Sequence, residues 1–175
     1  MRLVYDIGLF FAGLIAALLS VSVVRSGGAT WGLVQIPVII LAVTVFFMKE
    51  SRLAALTVGL GIGLDALSVY PFFTWTMIVA LTALTGWWLS KTVLTNRSLP
   101  SLIMLGAAMR IIYFIYELVL SRMGQLFGGS VWYMVTGIDI WRALTAFGIE
   151  MAALSLVFFI YVRSRGELSR MLTHL

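Results

Sequence analysis

Long apolar runs follow one another along this chain, separated by short polar breaks. The first, Ile7 to Val24, holds no charged residue and ends at Arg25-Ser-Gly-Gly28. The second runs from Trp31 to Met48 and is closed by Lys49-Glu-Ser-Arg52. The third, from Leu53 to about Val69, carries Asp65 and is broken by Tyr70-Pro71. The fourth runs from Phe72 to Leu89, ahead of a polar loop from Lys91 to Pro100. The fifth, Ser101 to Leu120, contains Arg110 and Glu117. The sixth, from about Asp139 to Tyr161, contains Arg142 and Glu150. A helix needs about 20 apolar residues to cross the hydrocarbon core. No run shows the ten-residue alternation of a barrel strand. The pattern therefore predicts an all-α integral membrane protein, a six-helix transmembrane bundle forming one domain over residues 1–175. The spans are 7–24, 31–48, 53–69, 72–89, 101–120 and 139–161. The first run is longer than a signal-peptide core and no A-x-A site follows it, so it reads as a retained anchor.

Composition agrees. The chain is 62% hydrophobic and 11% charged, with a mean hydropathy of +1.07. A soluble domain is about 45–50% apolar and about 25% charged. A water-soluble core could not hide this much apolar surface. There is no cysteine, which excludes a disulfide scaffold and thiol-based metal or redox chemistry. No cofactor or metal is expected, and no catalytic signature is present.

The net charge of +5 is explained by position. Arg2, Lys49, Arg52, Lys91, Arg97, Arg163, Arg165 and Arg170 fall on one side of the six spans, and only Arg25 and Arg122 on the other. This bias places both termini in the cytoplasm and argues for a topology signal facing anionic lipid, not for nucleic-acid binding. Trp31, Trp75, Trp132 and Trp141 fall near the outer boundary, and Trp87 and Trp88 near the inner one, as interfacial indoles do.

Five ionisable residues lie within the spans: Asp65, Arg110, Glu117, Arg142 and Glu150. Each costs about 2.5–3.5 kcal/mol at a helix centre, so they should face the interior and find partners. At 1.5 Å per residue, Arg110 and Glu150 lie roughly 14 and 17 Å from the cytoplasmic ends of their helices, nearly the same level. Glu117 and Arg142 both lie in the outer third. The expectation is two cross-helix pairs, Arg110 with Glu150 and Glu117 with Arg142, with Asp65 completing an intramembrane charge network. Such a network is either a clamp that fixes helix packing or a path or site for a polar species.

Gly59 and Gly63 form a small-xxx-small face suited to close helix approach. Gly61 and Gly63 would also let the helix unwind near Asp65, with Pro71 ending it early, giving a broken helix. Between Ser121 and Gly137, the apolar residues Leu126, Phe127, Trp132 and Tyr133 mark a candidate extracytoplasmic partner surface. In the tail, Leu168, Met171, Leu172 and Leu175 recur at helical spacing, predicting a short amphipathic helix on the inner membrane surface over residues 162–175.

The segment Gly61-Ile-Gly-Leu-Asp65-Ala-Leu-Ser68, followed by Val-Tyr-Pro71-Phe, resembles the G-x-x-x-D-x-L-S…P segment of the rod shape-determining MreD family. The resemblance is sharpest over residues 53–100. Phe72 and Phe73 stand where the family usually has a glycine soon after the proline. The resemblance implies a non-enzymatic inner-membrane subunit of the bacterial cell-elongation machinery. Its partner would be a single-span MreC-like protein, and through it the cell-wall synthases and an internal actin-like filament. Asp65 would be the family's acidic position. Two other readings stay open. One is the substrate-binding membrane subunit of an energy-coupling-factor vitamin transporter, and the other an accessory anchor subunit of a larger complex. The sequence also leaves self-association open.

Overall fold

A computed structural model describes residues 2–26, 34–48, 50–68, 73–94, 96–126 and 140–172, with side chains near the ends of several of these segments excluded. These residues form six helices: α1 (Arg2–Ser26), α2 (Ile36–Phe47), α3 (Glu50–Leu67), α4 (Thr74–Thr92), α5 (Leu99–Leu126) and α6 (Ile140–Leu172). No strand occurs among them.

Interhelical contacts fix the direction of each helix. On α1, Phe10 lies against Gly59 and Ala17 against Gly63, so α1 and α3 run parallel. Asp65 meets Thr76 at one end of α3 and α4, while Leu53 and Trp87 face a common groove at the other, so these two are antiparallel. Gly106 meets Leu154, and Arg110 meets Glu150, which makes α5 and α6 antiparallel. Gln35 meets Glu150 and Phe47 meets Tyr161, so α2 and α6 are parallel. Gly86 meets Met109 and Trp75 stacks on Tyr113, so α4 and α5 are antiparallel as well, and successive helices alternate up and down. Below, the end of the bundle at which α2 and α4 begin is called the upper end.

The predicted small-residue face is formed. A methyl group on Gly59 would collide with the Phe10 carbonyl, and one on Gly63 would sit 2.7 Å from Ala17 Cβ. Gly13 supplies the matching gap on α1, where a Cβ would lie 2.6 Å from the backbone of Leu56 and Leu60. Backbones in this close contact gain dispersion energy that larger side chains would deny them. The remaining core is aliphatic, with Leu41, Leu60, Ile78, Leu102, Leu105, Met109 and Leu154 essentially inaccessible.

The outside is apolar as well. Phe11, Ile15, Leu18 and Leu19 on α1 are exposed, as are Ile111, Ile115, Leu118 and Val119 on α5 and Leu156, Phe159 and Ile160 on α6. Continuous apolar surface of this kind is an aggregation liability in water and an ordinary boundary in lipid. Three helical stretches are long and apolar enough to cross a membrane: Val4–Ser22, Leu99–Val119 and Trp141–Ser164.

Some boundaries differ from the sequence expectation. The predicted 31–48 span is helical only from Ile36 within the described residues. Pro37 explains this start, because proline has no N–H to lose in a helix's first turn. At 12 residues, α2 is about 18 Å long, short of the roughly 30 Å hydrocarbon core. The helix at Asp65 is not broken. α3 continues through Gly61 and Gly63 to Leu67, because both glycines face neighbouring helices and lose nothing by staying helical. α5 extends beyond Leu120 to Leu126, and α6 runs without a break to Leu172. Most of the tail predicted as a separate interfacial helix is thus the continuation of α6. Pro71, Phe127, Trp132 and Tyr133 lie outside the described residues, as does the side chain of Leu126.

Candidate functional site

Two carboxylates are almost completely buried, Asp65 at 4% and Glu150 at 1% exposure. A helix leaves its first N–H groups without intrahelical partners. In water a serine, aspartate or solvent molecule takes them up. α4 begins after Phe73 and α2 after Gln35, and neither residue provides a side-chain cap. The buried acids fill that role from other helices.

Asp65 sits one turn after Gly61, on the same face of α3. Its Oδ1 accepts from the Trp75 backbone N–H at 2.7 Å. Its Oδ2 accepts from the Thr76 N–H at 3.0 Å and from the Thr76 hydroxyl at 2.6 Å. The carboxylate thus faces the positive end of the α4 dipole. Gly61 makes this reach possible, since a Cβ there would lie 2.7 Å from Thr76 Cα. Ser68 closes the end of α3, its hydroxyl donating to the Asp65 carbonyl at 3.1 Å.

Glu150 does the same for α2. Its Oε1 accepts from the Gln35 N–H at 2.7 Å. Its Oε2 lies 3.4 Å from Arg110 Nε, in an ion pair that lacks hydrogen-bond geometry. The Arg110 side chain is 19% exposed. One turn along α5, Tyr113 is buried, and its ring stacks on Trp75 with centroids 6.2 Å apart. A lateral polar and aromatic layer results. It runs from Asp65 through Trp75, Tyr113, Arg110 and Glu150 to Gln35, and touches α2, α3, α4, α5 and α6.

The first predicted pair, Arg110 with Glu150, is therefore formed. The second is not. Arg142 is exposed on α6, and the cation whose field reaches Glu117 is Arg110, two turns back on the same helix. Arg142 and Glu150 are eight residues apart, which turns them about 80° from each other around α6. When Glu150 faces Arg110, Arg142 points elsewhere. Asp65 also stands outside the charge network, because backbone and hydroxyl donors satisfy it instead of a cation. Sequence reading missed Gln35, Trp75, Thr76 and Tyr113. The proline just after Gln35 and the Tyr70-Pro71 break were the available signs that helix starts lay close to these acids.

Phe73 has φ 75°, the left-handed region, and is the sole non-glycine with positive φ among the described residues. A non-glycine residue there carries a strain of about 1–3 kcal/mol. The residue is 56% exposed. Phe73→Gly is expected to stabilise the detergent-solubilised protein by about 1 kcal/mol. Thermal unfolding followed by circular dichroism measures this, and a lower midpoint would contradict the strain assignment.

No protein-family model, curated protein or solved structure matches this chain.

Proposed function

We propose that this chain is a non-enzymatic, multi-pass scaffold subunit of the bacterial cell-elongation machinery. In this reading six spans hold it in the inner membrane with both termini cytoplasmic, and it binds a single-span MreC-like partner. One observation carries the proposal. The residues that carry the MreD resemblance build the junction between α3 and α4: Gly61 admits the backbone of Thr76, Asp65 caps α4, and Ser68 closes α3. A motif spent on holding two helices together suits a protein whose product is a shape offered to partners. The alternating helix directions and the exposed apolar faces support the multi-pass arrangement.

The test is affinity purification from the native host in a mild detergent. The expected result is a single-span protein with a large extracytoplasmic part, recovered in near-equal amount. A small molecule retained through purification, with no such protein present, would favour the vitamin-transporter reading instead.

A further inference from the structure

Asp65 and Glu150 each serve a helix start, but Glu117 does not. It lies inside the span Leu99–Val119 on α5 and is half-buried. Among the described residues, no hydrogen bond or ion pair reaches its carboxylate. Arg110 acts on it only at a distance. That guanidinium belongs to a residue about 10 Å back along the helix, and it is paired with Glu150. Nor does the side chain lean toward the upper surface. Helical side chains tilt toward the N-terminus of their helix, and α5 begins at the lower end. An ionisable group held unpaired within a span is the usual mark of a site for another charged group.

The direction in which Glu117 faces follows from two contacts. Gly106 meets Leu154, and Arg110 meets Glu150. Each step up α5 is therefore matched by one step back along α6, and Glu117 stands opposite Ala143. Seven residues beyond Arg110, it also keeps within about 20° of the side that Arg110 turns to α6. Glu117 thus sits in the seam between α5 and α6. At this height the seam is open. Phe114 (38%) and Leu118 (47%) on α5 are exposed beside it, as are Leu144 (55%) and Phe147 (36%) on α6. Ala143 offers only a methyl group. α2, which packs on this pair of helices below, begins at the level of Glu150 and does not reach Glu117.

We propose that the upper α5–α6 seam seats the membrane span of a partner protein, and that a lysine or arginine on that span pairs with Glu117. The assignment rests on the scaffold reading given above and adds to it where the partner binds and which side chain selects it. Charge complementarity decides the occupant. Acyl chains match the apolar walls but bring no donor to a carboxylate inside the span. A helix with one cation and an aliphatic face meets both needs, and its own backbone is already satisfied. Phe114 and Leu118, four residues apart, present the spacing by which one helix anchors another.

The experiment uses the full chain in phosphatidylcholine vesicles, with a dye on Ser164→Cys, an exposed position in a chain without native cysteine. The probe is a labelled transmembrane peptide of about 20 Leu and Ala residues, carrying one lysine a turn inside its outer end. Energy transfer should show the lysine peptide binding about tenfold more tightly than an all-aliphatic control. Glu117→Gln should remove that preference, and Ala143→Leu, which fills the seam, should weaken binding of both peptides. Glu117→Lys should bind the lysine peptide worst and prefer a peptide with glutamate in its place, a gain that a misfolded variant could not show. Leu156→Ala, lower on α6, should change nothing. Equal binding of lysine and control peptides, or a preference that survives Glu117→Gln, overturns the proposal. So does transfer between two copies of the chain that Glu117→Gln abolishes, since a second copy would then occupy the seam. The native-host purification separates this inference from the function beneath it. A single-span partner whose recovery is unchanged by Glu117→Gln defeats the seam and leaves the scaffold reading intact. A lysine preference in vesicles, with no single-span protein recovered from the host, supports the seam and defeats the scaffold reading.

Discussion

Replacing Asp65 with alanine will destabilise the detergent-solubilised protein by about 3 kcal/mol, because three donors lose their acceptor in a site that holds them away from water. The donors are the backbone N–H groups of Trp75 and Thr76 and the Thr76 hydroxyl. An uncapped exposed helix recovers its hydrogen bonds from solvent. The start of α4 cannot, since the carboxylate that serves it is 4% exposed. Asp65→Asn separates charge from geometry. Its amide keeps one acceptor but presents N–H groups to the remaining donors, so roughly half of the loss should persist. Equilibrium unfolding in mixed micelles, followed by tryptophan fluorescence, reads both. If both variants fall within about 0.5 kcal/mol of wild type, the cap contributes nothing and the role of Asp65 lies elsewhere.

The second large effect belongs to Glu150. Glu150→Ala should cost about 3–4 kcal/mol, since it removes the carboxylate that the Arg110 guanidinium and the Gln35 N–H share. Arg110→Leu should cost less. It leaves Glu150 with its backbone hydrogen bond, and the 19% exposed arginine is the more easily dispensed with. The double variant should be milder than the sum of the two by about 2 kcal/mol, because neither member of the Arg110–Glu150 pair is then left facing a vacated partner position. Glu150→Gln isolates the cap, for its amide oxygen can still accept from Gln35. A double-mutant cycle on the same unfolding measurement gives the coupling. Simple additivity would mean that the 3.4 Å approach carries no energy.

Part of this site was legible in the sequence. Helical rise and alternating direction put Arg110 and Glu150 at one depth, and the structure joins them. Four-residue spacing likewise found the Gly59–Gly63 face. Depth alone could not settle the second pair, because contact also requires the right azimuth, and Arg142 points away from the side of α6 that Glu150 presents. Asp65 was misjudged for a different reason. A carboxylate within an apolar run was expected to seek a cation, but the start of a neighbouring helix is itself a donor array with a partial positive charge. No composition rule marks it. Nor does any residue pattern place a phenylalanine in a left-handed conformation.

The two borrowed caps differ in when they can close. The Asp65 contacts join residues 10 and 11 positions apart, so the α3–α4 hairpin can complete itself as soon as it is made. The Gln35–Glu150 contact spans 115 positions. At ribosomal speeds of about 5–20 residues per second, the start of α2 waits on the order of ten seconds for its acceptor to be synthesised. Biogenesis of this protein thus has a built-in last step. The arrival of α6 completes α2, and until then the Gln35 amide is without its carboxylate.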